Sequence, residues 1–158
     1  MNRSARLRHL SFGSTAGVVT SLGLIVGFAS TTTARATLIA SLMIIGIADN
    51  LTDSLSVHLY QEAEGLESQE AFVSTATNFM ARLAITATFI LLVGFLSGGG
   101  LAIIAIIWGL TLLGILTVSL ARQRHAPVGR ELIRHFTIAF VVIAVSRVIG
   151  LFVTAHVK

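Results

Sequence analysis

The sequence predicts an all-α integral membrane protein, a bundle of five transmembrane helices with almost no soluble part. Three observations carry this. Only 11% of the 158 residues are charged and 54% are hydrophobic, whereas a soluble domain averages roughly 25% charged. Apolar runs near or above the ~18 residues needed to cross a hydrocarbon core about 30 Å thick recur along the whole chain. The runs do not alternate apolar and polar residues as barrel strands do, so helices, which satisfy their own backbone in lipid, are the structure expected.

The first helix is expected over about 10–30, its apolar part running from Ala16 to Ser30. It carries small residues at packing spacing, Gly13 with Gly17 and Gly23 with Gly27. Such pairs let helices approach closely and suit a dimer seam. The second helix spans 38–60 and is the most polar of the set. The third spans 77–96, after a connection, 61–76, that holds Glu62, Glu64, Glu67 and Glu70. The fourth, 101–121, is almost wholly apolar, with Trp108 in a packing role. Ser97 to Gly100, Ser-Gly-Gly-Gly, predicts a tight antiparallel hairpin between the third and fourth helices. The fifth covers 136–153.

Arginine placement gives orientation. Arg3, Arg6 and Arg8 precede the first helix, and Arg122, Arg124, Arg130 and Arg134 lie between the fourth and fifth. With five spans these segments share a side. The positive-inside rule then puts the N-terminus in the cytoplasm and the C-terminus outside. The same clustering explains the net charge of +4 without nucleic acid as a partner. The absence of cysteine removes disulfides, thiolate metal sites and cysteine nucleophiles. An arginine-rich start, an apolar stretch and Ala34-Arg35-Ala36 imitate a cleavable secretory signal. Arg35 within that site and the length of the apolar run favour a retained helix instead.

The second helix holds the polar residues that matter most. Asp49 and Asp53 are four apart and share one helical face, which Ser56 and Tyr60 continue. Asn50, Ser54 and His58 form a second polar row beside it. An acidic residue near mid-span costs about 2.5–3.5 kcal/mol on insertion scales and marks an ion or proton path by default. The bland reading is that the aspartates bond only a neighbouring helix or an arginine. Arg147, inside the fifth apolar run, is the expected partner, as a fixed pair or as a gate; alternatively it binds an anion. The four glutamates offer a carboxylate collar for a divalent cation, or a solvated loop. No phosphate loop, zinc-protease motif or nucleophile elbow is present, so the chain is not expected to be an enzyme.

These pieces fall in a familiar order. The stretch Ala16-Gly17-Val18-Val19-Thr20-Ser21-Leu22-Gly23-Leu24-Ile25-Val26-Gly27 resembles the first-helix motif of the vacuolar iron transporter family. Gly46-Ile47-Ala48 followed by Asp53-Ser54-Leu55-Ser56 is similar to its second-helix motif. Leu113-Gly114 and Ile143 to Gly150 look like its fourth and fifth helices. The resemblance covers nearly the whole chain and is to a short, prokaryotic-type member in a plasma membrane, without the family's large cytosolic metal-binding domain. It implies a homodimer that moves a divalent metal ion, Fe²⁺ or Mn²⁺, out of the cytosol, coupled to protons. The family's second-helix carboxylate falls on Asp49. Its first-helix aspartate falls on Ala16, and its methionine on Val57.

Two functions follow as expectations. One is a transporter whose path uses Asp49, Asp53, Ser56 and Arg147, with Asp49, Asp53 and the four glutamates as metal ligands. The other is a relative that does not move iron, a membrane scaffold or a carrier of another solute, in which Arg147 neutralises the aspartates.

Overall fold

The computed structural model describes residues 3–31, 34–96 and 100–157, with side chains from residue 13 onward. The described residues form five α-helices: α1 (Arg3–Ala29), α2 (Arg35–Ala63), α3 (Ser68–Phe95), α4 (Leu101–Gln123) and α5 (Val128–His156). Four of them, α2 to α5, are long and apolar enough to cross a membrane, while the described apolar part of α1, Gly13–Ala29, is shorter.

α2, α3 and α5 extend beyond the apolar runs into mixed polar and apolar flanks, since a helix satisfies its own backbone in water as well as in lipid. The connection expected over 61–76 shrinks to a tight turn. α2 ends where Gly65 adopts a φ of +82°. Gly65 N–H bonds the Glu62 carbonyl at 3.0 Å and Leu66 N–H bonds that of Gln61 at 3.1 Å, the reciprocal pair that closes a helix through a left-handed residue. α4 ends the same way, with His125 at φ 53° and Ala126 N–H on the Ala121 carbonyl at 2.9 Å.

α1 is the central helix. It packs against α3, α5 and α4 and more lightly against α2, while α2 lies on α3 and α4 on α5. Val18, Leu22 and Ile25 of α1 are buried, with Leu42, Phe89, Val93 and Leu113 around them. Leu22 fills the space that a Cβ on Gly109 of α4 would take, its Cδ1 lying 2.6 Å from that position. The close packing expected between α3 and α4 is not seen among the described residues: the two helices touch little, Trp108 Nε1 donating to Thr88 Oγ1 at 3.1 Å, while α1 packs extensively against both. The glycines expected to make the turn between α3 and α4, Gly98 and Gly99, lie outside the described residues.

The outer surface is apolar. Ile44, Leu51 and Leu55 of α2, Phe95 of α3, Ile103 and Ile107 of α4, and Val148 and Phe152 of α5 all point outward, as helices facing lipid do.

A buried arginine clamped by two carboxylates

Helical geometry places Asp49 and Asp53 one turn apart on α2, as their spacing requires. Their partner is not Arg147 but Arg82 of α3. Arg82 Nη1 donates to Asp53 Oδ2 at 2.6 Å, and Nη2 donates to Asp49 Oδ2. Nη2 also reaches Thr20 Oγ1 of α1 at 3.5 Å. Three helices therefore meet at one guanidinium.

Small residues make that meeting possible. A Cβ on Gly17 of α1 would lie 3.2 Å from Arg82 Cγ, so the arginine stem rests directly on the α1 backbone. A Cβ on Gly46 of α2 would lie 3.0 Å from Thr86 Cγ2 of α3, one turn beyond Arg82. Without these glycines the helices would stand too far apart for the guanidinium to reach both carboxylates.

Exposure is divided unevenly within the cluster. The Arg82 side chain is 6% exposed, whereas Asp49 is 50% and Asp53 38% exposed. The cation is sealed between helices, and the carboxylates present their outer sides at the front of α2. One positive charge faces two negative ones, so the cluster keeps one excess negative charge. A buried arginine without a partner would be costly; this one is bonded twice. Chemically, such a cluster can accept a proton or a further cation on its open side.

A polar seam continues from Arg82 towards the α2–α3 turn. Asn50, Ser54, Gln61, Ser74 and Asn78 are buried between the helices. Asn50 Nδ2 donates to the Phe79 carbonyl at 2.9 Å, and Gln61 Nε2 donates to Ser74 Oγ at 2.7 Å. Asn50 Oδ1, Ser54 Oγ, His58 Nδ1 and both amide atoms of Asn78 are buried with no partner among the described residues. Buried polar atoms of this kind are ordinarily satisfied by ordered water. The second polar row of α2 is thus the lining of this seam.

The remaining expected site residues are dispersed. Ser56 is exposed on α2 and its hydroxyl bonds the Thr52 carbonyl at 3.0 Å. Glu62, in the last turn of α2, pairs with His58 at 3.4 Å and accepts from Ser68 Oγ at 2.9 Å. Glu64 and Glu67 cap α2 and α3, and Glu70 lies in the first turn of α3. Glu62 is nine residues beyond Asp53, about 13 Å along the helix. Among the described residues no three acidic or histidine side chains converge into a group able to hold a metal. The glutamates and the aspartates are separate features.

Arg147 is exposed on α5 and makes neither ion pair nor hydrogen bond among the described residues. The four small residues of α1 pack within the chain. Gly13 rests on Asn78 and Gly17 on Arg82 of α3, while Gly23 meets Val142 and Ser146, and Gly27 meets Ser146, of α5. Gly23 and Gly27 also line an open apolar groove of about 560 Å³ between α1 and α5, which Thr20 borders.

Arg82 is the site residue that the sequence pattern does not single out. Its one signal is an arginine with no loop to occupy, in Met80-Ala81-Arg82-Leu83. With the third helix taken to start at residue 77, Arg82 lies near its edge. Because α3 starts at Ser68, Arg82 is mid-helix. Comparison with family models, curated proteins and solved structures gives no match.

Proposed function

We propose that this chain is a multi-pass membrane transporter of small cations in which the Asp49–Arg82–Asp53 cluster handles the charge. All five helices cross the bilayer, with the N-terminus in the cytoplasm. The substrate is a divalent metal ion, Fe²⁺ or Mn²⁺, leaving the cytosol in exchange for protons, as the resemblance to vacuolar iron transporters implies. The observation that carries this reading is one sealed guanidinium shared by two half-open carboxylates. Arg82 acts as a resident counter-ion: it holds the carboxylates when no substrate is present and yields them to an arriving cation. A proton on either carboxylate weakens its hold on that cation, which couples the two fluxes. The water-fitting polar atoms of the α2–α3 seam supply a route for protons from the α2–α3 turn.

Carboxylates half-exposed at lipid depth need cover. A second copy of the chain, set against the front of α1 and α2, supplies it and closes the path.

A second reading rests on the same geometry. Both carboxylates are already bonded, so the cluster can be a permanent clamp holding α2 to α3 in a protein that moves no cation.

The test is flux. In proteoliposomes carrying an internal pH dye, an imposed Mn²⁺ or Fe²⁺ gradient should drive proton movement with the wild type and none with Asp49→Asn. Equal signal from empty liposomes and wild-type liposomes would leave the clamp as the account.

A further inference from the structure

Arg147 lies outside the cluster described above, and its surroundings point to a different ligand. Arg147 and Arg35 line one cavity of about 470 Å³ at the end of the bundle where α1 finishes and α2 and α4 begin. Its other walls are mostly apolar, with Leu38, Leu101, Ile103, Ile106 and Ile143 among them. Ser30 and Thr31 contribute the polar rim. Arg35 Nε donates to the Val93 carbonyl at 2.8 Å, which fixes its guanidinium at the end of α3.

Among the described residues, no carboxylate answers these two cations. Asp49 and Asp53 are committed to Arg82. Asp49 follows Arg35 by fourteen residues on α2, about 21 Å, and Glu131 precedes Arg147 by sixteen on α5, about 24 Å. The other glutamates flank the α2–α3 turn, at the far end of α2 from Arg35. Arg147 is three residues before Gly150, which packs on the Gly27 carbonyl and Ser30 at the end of α1. It therefore lies about one turn inside the end of α1 and nine residues before the end of its own helix, and its long stem can carry the charge towards the α1 end and the interface beyond it.

Two arginines beside an apolar wall, at the edge of a bundle whose surface faces lipid, match one ligand class in both parts. We propose that this cavity binds an anionic phospholipid, its headgroup phosphate between Arg35 and Arg147 and an acyl chain along Ile103, Ile106 and Ile143. Arginine forks suit phosphate oxygens bidentately, and the cavity is within the size range of ligand sites. Free phosphate shares the headgroup chemistry but makes no use of the apolar wall.

Native mass spectrometry and melting in detergent, with added phosphatidylglycerol, phosphatidylcholine or inorganic phosphate, test the assignment. Phosphatidylglycerol should stay bound and raise the melting temperature, with phosphatidylcholine and inorganic phosphate far weaker. Arg147→Gln should cut phosphatidylglycerol affinity about 10-fold or more, the loss of a charge-assisted contact. Because Arg147 has no partner to strand among the described residues, the melting temperature of Arg147→Gln without added lipid should stay near wild type. Ala102 also lines the cavity, and Ala102→Phe, which fills it and keeps both arginines, should weaken the lipid as well. Binding unchanged in both variants, or phosphate binding as tightly as the lipid, would overturn the assignment.

Discussion

Arg82 on α3 donates to Asp53 on α2 at 2.6 Å across a sequence separation of twenty-nine residues, and its other terminal nitrogen holds Asp49 one turn away. This fork fixes the register of α2 against α3. It also decides which cation neutralises the mid-helix carboxylates. Arg147, the partner suggested by its depth in an apolar run, takes no part in the fork.

Glycine substitutions should separate close helix contacts from open positions. A Cβ on Gly13 would lie 2.4 Å from the Asn78 carbonyl oxygen, and one on Gly150 would lie 2.3 Å from that of Gly27. Backbone cannot yield as a side chain can, so Gly13→Ala and Gly150→Ala should each cost about 1–3 kcal/mol. Gly94 has nothing within 4 Å, and Gly94→Ala should be neutral or slightly stabilising. Melting in detergent reads all three.

His125 should be a site of easy stabilisation. It closes α4 in the left-handed region at φ 53°, where a residue with a side chain is strained by roughly 1–2 kcal/mol and glycine is not. His125→Gly should raise the melting temperature, by less than that strain because glycine also loosens the unfolded chain. Gly65→Ala, at the equivalent turn of α2, should do the reverse.

The proposed orientation rests on the arginines at the start of α1 and around the α4–α5 turn. A reporter active only outside the cytoplasm, fused after Lys158, should give signal, and the same reporter inserted in the α4–α5 turn should not. The opposite pattern would invert the topology.

The second copy should cover the front of α1. The chain has no cysteine, so single-cysteine variants report cleanly. Val19→Cys, in the α1–α5 groove near Thr20, should cross-link to its twin in membranes. Phe140→Cys, on the outer surface of α5, should not. Cross-linking confined to Phe140→Cys would place the partner elsewhere.

Composition and run lengths make the helical class legible, and i, i+4 spacing by itself puts Asp49 and Asp53 on one face. Helix order in space is not legible. Nothing local in α1 says that it packs against both α3 and α4, so turn length alone suggests a closer contact of α3 with α4 than the slight one seen. The choice of Arg82 over Arg147 depends on where α3 begins, and residues 68–76 hide that start because they are helical without being apolar throughout. The glutamates look like one collar because their spacing is helical; Gly65 breaks the helix among them and parts α2 from α3.

The most direct test of the account is a double-mutant cycle on melting free energy between Arg82→Gln and Asp49→Asn, with Arg147→Gln and Asp49→Asn as the control pair. Removing one partner of a buried pair costs about 3–5 kcal/mol, and the half-exposed carboxylates place this one at or below the lower end. Arg82→Gln and Asp49→Asn should each destabilise, and the double variant should recover a large part of the summed loss. Coupling of Arg147 with Asp49 should be near zero. Strong coupling of Asp49 to Arg147, with none to Arg82, would contradict the Asp49–Arg82 clamp.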